Sequence, residues 1–105
     1  MAKKKEQYGN SVIQARVSDF HHGLRVFENI QMIRVRSLDY SLLILDDYLP
    51  IIAKIEGDVE LVRKDEIIPL HSVKGFFMHR DNVFSLLIEE QDQAYIDEIE
   101  ENYAN

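Results

Sequence analysis

Apolar and polar residues alternate with period two near the start of the chain. Ile13, Ala15 and Val17 are separated by Gln14 and Arg16, the mark of a strand that rests one face on a core. Residues 18–23 read as a turn, residues 24–27 as a short strand, Glu28-Asn29 as a break, and residues 30–35 as a further strand whose flanking Arg34 and Arg36 face water. Ser37-Leu38-Asp39 turns the chain into residues 40–45, which are apolar on both faces apart from Ser41. That pattern predicts a strand covered on both sides. Asp46-Asp47-Tyr48 ends it, and Pro50, which has no N–H to give to a ladder, stands at the start of the next strand.

The second half reads as a meander. Residues 51–55 and 59–62 flank Glu56-Gly57-Asp58, predicted as a hairpin connection in which Gly57 takes a positive φ. Residues 63–66 form a polar turn, and residues 67–70 a strand whose Pro69 marks an edge or an end. Residues 73–78 and 83–88 flank a tight reversal at His79-Arg80-Asp81-Asn82. One pattern occurs twice: Arg36 is followed after an aromatic by Ser41-Leu42-Leu43-Ile44, and Arg80 by Ser85-Leu86-Leu87-Ile88. Both copies are predicted to be central strands carrying bulky apolar residues on both faces. Turn signals recur about every 8–12 residues, so the fold class is all-β, an antiparallel sandwich or barrel of about 8–10 short strands.

The end of the chain changes period. Tyr95, Ile96, Ile99 and Tyr103 follow the i, i+3, i+4, i+7 spacing of one short amphipathic helix. The domain reading is therefore a disordered polar leader over 1–10, a β-sandwich over 11–90 and an acidic helix or tail over 91–105. The stripe of Tyr95, Ile96, Ile99 and Tyr103 is the candidate protein-binding surface; it equally suits a cover for the domain's own core.

Charge sharpens that division. The net charge is −7, from 12 basic and 19 acidic residues, and seven of the acids lie between Glu89 and Asn105 with no Lys or Arg among them. Residues 1–88 are then neutral, and they carry no basic stripe of the kind nucleic-acid binders show. Lys3, Lys4 and Lys5 form a basic cluster in a polar terminal segment, read as a solubilising end. At 105 residues and 46% hydrophobic composition the chain can bury a core without metal or disulfide support, and the absence of cysteine suits a reducing, cytoplasmic setting. No apolar run approaches the roughly 20 residues that cross a bilayer, and residues 1–10 lack the apolar stretch of a signal peptide.

Reaction chemistry finds little purchase. His21 and His22 are adjacent and expected to point to opposite sides of an extended segment, and with His71 and His79 they match no zinc-site spacing; all four read as solvated turn or loop residues. Asp46-Asp47 and Glu89-Glu90 sit at strand ends, where carboxylates are normally solvated, and Ser41 and Ser85 lack the glycine-flanked elbow of a hydrolase nucleophile. Four glycines spread along the chain form no phosphate-cradling loop. The chain is read as a non-enzyme without catalytic, cofactor or metal residues.

Three stretches, in order, carry a family likeness. Ile44-Leu45-Asp46-Asp47-Tyr48-Leu49-Pro50-Ile51 is similar to a strand-end motif Ile-Leu-Pro-Gly-His-Ala-Pro-Leu, matching at Ile44, Leu45 and Pro50. Ile55-Glu56-Gly57-Asp58-Val59 resembles a Leu-x-x-Gly-Val hairpin shortened by one residue, and Gly75-Phe76 leading to Asn82 and Leu87 resembles a Gly-Phe-x-x-x-x-x-Asn segment ending in a core leucine. Together they resemble the N-terminal β-sandwich of the epsilon subunit of rotary F-type ATP synthases, over roughly residues 11–90. The resemblance implies a non-catalytic structural or regulatory subunit, cytoplasmic or peripheral to a membrane complex, that packs against protein partners. Three departures stand beside it. Asp46-Asp47-Tyr48 replaces Pro-Gly-His, residues 91–105 are too few for the family's two-helix hairpin, and residues 96–101 lack the Arg and Ala of the ATP-binding motif some members carry. No ATP binding through that motif is expected. The alternative function is a stand-alone small prokaryotic β-domain, such as one from a mobile element, that binds a protein through a sheet edge or the acidic tail.

Overall fold

The computed structural model of the protein describes residues 12–91. They form seven strands: β1 (Ile13–Asp19), β2 (Gly23–Ile30), β3 (Met32–Ser37), β4 (Ser41–Ile44), β5 (Ile51–Val62), β6 (Ile67–Arg80) and β7 (Val83–Gln91). The sheet order is β2-β1-β7-β6-β5-β3-β4. The fold is all-β, as the alternation predicts, with fewer and longer strands. It is also not wholly antiparallel, because β1 runs parallel to β7. The barrel is not closed: β2 and β4 end the strand order and do not pair with each other. The predicted helix and its stripe Tyr95, Ile96, Ile99 and Tyr103 lie outside the described residues; Gln91, assigned to that tail by its composition, is the last residue of β7.

Two long strands fold the sheet over itself. The first half of β5 and the second half of β6 pair with each other beside β7, β1 and β2, whereas the second half of β5 pairs with the start of β6 and with β3, which carries β4. Inward residues from both halves, among them Ile13, Val17, Ile33, Ile44, Leu61, Phe77 and Phe84, form one buried cluster although β1 and β4 share no ladder. Phe77 and Phe84 stack at its centre with ring centroids 5.2 Å apart. Across the open side Arg63 donates from Nε to the Glu28 carbonyl at 3.1 Å and lies over the Phe27 ring.

Bulges make the fold-over. The predicted hairpin at Glu56-Gly57-Asp58 does not exist: β5 runs straight through, and Gly57 has no positive φ. The glycine instead permits close approach, since a Cβ there would lie 1.9 Å from the Arg36 carbonyl oxygen. Opposite it, the β5–β6 register slips around Ser72, whose φ is 58° and whose N–H reaches Asp58 Oδ1 at 3.0 Å. That extra residue switches the buried parity of β6 from Leu70 to Val73, Gly75, Phe77 and His79. It also joins two predicted strands, one over 67–70 and one over 73–78, into β6. Pro69 still sits at an edge, where among the described residues β6 has β5 on one side only. Similarly, the predicted break at Glu28-Asn29 is a bulge within β2, with Asn29 at φ 61°.

The two Ser-Leu-Leu-Ile segments part company. The second lies in β7 between β1 and β6, but the first is β4, an edge strand. Neither is buried on both faces: Ile44, Leu86 and Ile88 are interior, while Leu43 and Leu87 are about half exposed.

Candidate functional site, an apolar outer sheet face

Five strands, β2-β1-β7-β6-β5, make one layer, and their registers write out its outer surface row by row. Leu24 stands opposite Ser18, Ser18 opposite Leu87, Leu87 opposite Phe76 and Phe76 opposite Lys54. The next row is Val26, Arg16, Ser85, Met78 and Ile52. Directly paired residues share a face, so these ten side chains form one surface. Six are apolar, and their exposures run from 40% at Phe76 to 73% at Ile52. Ser18 and Ser85 are small, which leaves a shallow groove between Leu24 on one side and Ile52, Phe76 and Met78 on the other.

The opposite layer shows what a solvated outer face looks like here. On it Arg34 stands opposite Glu60 and pairs with it at 3.0 Å, and Arg36 stands opposite Asp58. An antiparallel layer with one face in water normally alternates apolar inside and polar outside. The β3-β4 side follows that rule at Arg34, Arg36, Asp58 and Glu60 and departs from it at Leu43 and in the row of Met32, Val62 and half-exposed Ile67; the five-stranded layer breaks it in four of its strands. Contiguous exposed apolar surface of this kind marks a place where something binds.

Sequence reasoning had the signal for this face and read it as burial. Runs such as Gly75-Phe76-Phe77-Met78 and Ser85-Leu86-Leu87-Ile88 are apolar at both parities, which predicts cover on both sides. The fold supplies one cover, the core. The other is missing among the described residues.

Two loops brace the far end of the layer. Asp81 (φ 51°) and Asn82 (φ 61°) form the two-residue turn between β6 and β7. Asn82 Oδ1 accepts the Asp47 N–H at 2.9 Å and its amide donates to Asp46 Oδ1 at 3.2 Å, tying this turn to the β4–β5 connection. The paired carboxylates are thus hydrogen-bonded structural groups. Tyr40 hydroxyl donates to the Lys54 carbonyl, and burial, with the nearby Asp39 charge, raises its pKa against the opposing Ser37 hydrogen bond.

The histidines fall differently from expectation. His79 is no solvated turn residue. It is fully buried, with Tyr48 edge-on at 6.4 Å between ring centroids and Phe84 at 6.3 Å, and neither ring nitrogen has a hydrogen-bond partner among the described residues. Burial lowers its pKa. Its place on the Gly75, Phe77, His79 parity would have predicted this. His21 and His22 lie in the turn read for residues 18–23, but their rings do not point to opposite sides: they meet edge to face at 4.8 Å. Asp19 accepts the His22 N–H and pairs with Arg25 at 2.9 Å; burial raises its pKa, and these partners together pull it below the ordinary value. No group of three or more His, Cys, Asp or Glu among the described residues is placed to hold a metal ion. No helix there is long and apolar enough to cross a membrane.

No family model and no curated protein matches the chain. Among solved structures, the fold is similar to a chain in the cryo-EM structure of the Tetrahymena thermophila mitochondrial ATP synthase, central stalk and c-ring, with a TM-score of 0.60. The likeness is one of fold. The two sequences are 13% identical over a match that covers 75% of this chain and 64% of the other, so the protein spans less than two thirds of its neighbour's length. The epsilon-type resemblance read from the sequence finds support at the level of fold alone, and the comparison singles out no epsilon subunit.

Proposed function

We propose that this protein is a non-catalytic assembly module that docks on a protein partner through the outer face of the β2-β1-β7-β6-β5 layer. The observation that carries the proposal is the group of exposed apolar side chains Ile52, Phe76, Met78 and Leu87, with Leu24 and Val26 beyond Ser18 and Arg16, set against an opposite layer whose outer face carries Arg34, Arg36, Asp58 and Glu60. Its finer form is an epsilon-like structural or regulatory subunit at a rotary ATP synthase, to which the fold similarity lends support. The test is affinity capture with the intact protein and with Ile52→Asp and Met78→Asp. Recovery of stalk subunits by the wild type and their loss with both variants supports the finer form; recovery of an unrelated protein, lost in the same way, supports docking without the synthase.

A second reading has one observation behind it. β4 is an edge strand with Leu43 and Leu45 about half exposed, so a stand-alone β-domain could add a partner strand there. Capture abolished by Leu43→Pro and unaffected by Ile52→Asp would favour it.

A further inference from the structure

We infer that the connection between β4 and β5, residues 45–50, is a flap that acid opens, with His79 beneath it as the trigger. None of these residues lies in the two rows of the docking face, so the inference stands whether or not that face is bound.

His79 occupies a place that a neutral ring tolerates and a charged one does not. It is the penultimate residue of β6, fully buried, and neither ring nitrogen has a hydrogen-bond partner among the described residues. The elements packed on it bring no countercharge. β5 sets Ile51 opposite it and β7 sets Phe84 opposite it. The connection contributes the Tyr48 ring, edge-on at 6.4 Å, and a phenol is neutral at acid pH. The carboxylates close by in sequence are engaged elsewhere: Asp46 and Asp47 accept from the Asn82 amide, and Asp81 pairs with Arg80 in solvent. An imidazolium held there, without water or acceptor, would be strongly disfavoured. To take up a proton the ring must first reach water.

The connection is the nearest way out. His79 pairs with Ile51, the first residue of β5, so it sits at the end of that ladder rather than in its middle. Tyr48 lies half-buried over it, between Leu45 at 48% and Leu49 at 77% exposure. What holds the connection is local: the Tyr48 N–H donates to the Leu45 carbonyl at 3.1 Å, and Asn82 accepts the Asp47 N–H at 2.9 Å. Asp47 itself is left-handed, at φ 60°. A short, exposed segment of this kind opens at a fraction of the cost of unfolding the sheet.

Opening is thereby coupled to one proton. With Tyr48 lifted, the ring binds a proton near the ordinary value of 6.5, whereas burial lowers its pKa in the closed form. The open fraction is then independent of pH above about 6.5 and rises about tenfold for each pH unit below it, until the closed form also binds.

Amide hydrogen exchange of the full-length protein at a series of pH values, expressed as protection factors so that intrinsic exchange cancels, tests this. Protection at Asp47 and Tyr48 should lie well below that at Phe77 and Leu86 in the ladder between β6 and β7, and should fall about tenfold per unit below about pH 6.5. In His79→Leu the fall should vanish. Should that variant not fold, the wild-type ring signal decides with the flap amides: its midpoint should lie below 6.5. Equal protection in flap and ladder would mean that His79 meets water only when the whole sheet unfolds. Flap protection that ignores pH would mean that the connection moves without uncovering the ring. A fall that persists in His79→Leu would make Asp46 and Asp47 the trigger. Each of the three overturns the inference and leaves the docking proposal, tested by capture with Ile52→Asp, untouched.

Discussion

The carbonyl oxygen of Arg36 lies against Gly57 so closely that a Cβ on residue 57 would fall 1.9 Å from it. That contact is between backbone atoms of neighbouring strands, so a side chain there could be accommodated only by parting β3 from β5. Gly23 gives the contrast: its φ is 69°, but a Cβ would meet nothing within 4 Å. Gly57→Ala should cost about 3 kcal/mol or more, as overpacking against backbone does, and Gly23→Ala about 1 kcal/mol of left-handed strain. Urea unfolding of the two variants checks the order. Equal losses would mean that Gly57 is not where the sheet turns its corner.

His79 gives the protein an acid-sensitive interior. Its pKa is lowered by burial from 6.5, so the unfolded chain binds a proton before the folded one does. Stability from this group is therefore complete above about pH 6.5 and falls as pH drops below it. His79→Leu should flatten that slope between pH 6.5 and the carboxylate range. At neutral pH it should stabilise by about 1 kcal/mol, since two unsatisfied buried nitrogens disappear. Thermal melts at several pH values read both effects; an unchanged acid slope would show that His79 titrates alike in the folded and unfolded chain.

Asn82 does two jobs, which substitution can separate. Its φ of 61° suits the turn, and its side chain clasps Asp46 and Asp47. Asn82→Gly should keep the turn and lose about 1 kcal/mol of hydrogen bonding, whereas Asn82→Ala should lose that and roughly another 1 kcal/mol of strain. Chemical unfolding distinguishes a graded pair from two equal losses.

Ile52 and Met78 face outward, so stability should hardly notice them. Ile52→Asp and Met78→Asp are expected to stay within about 0.5 kcal/mol of the wild type, the usual range for surface positions. A fall of several kcal/mol would place these side chains under a permanent cover within the folded chain.

Much of this architecture was legible in the sequence, and what was not has specific causes. Period-two alternation at Ile13, Ala15 and Val17 and the turn chemistry of Asp81-Asn82 led to the right local structures, because both depend on near neighbours. Glu56-Gly57-Asp58 misled because a glycine between polar residues looks the same whether it turns a chain or admits a neighbouring carbonyl. The difference lies in Arg36, far off in sequence. Splitting β6 at Ser72 had a similar origin, since a bulge shifts parity and breaks the alternation without ending the strand. The outer face was half legible: apolar residues at both parities of β7 correctly signalled two demands for cover, but which demand the core meets depends on how the sheet folds over. His79 was obscured by the charged residues after it, although its parity with Phe77 was visible.

If this protein meets its partner through the apolar face of the five-stranded layer, photocrosslinking in the native source will capture one protein from position 52 and none from position 43 on the other layer. Crosslinks from position 43 alone would place the partner on the opposite face.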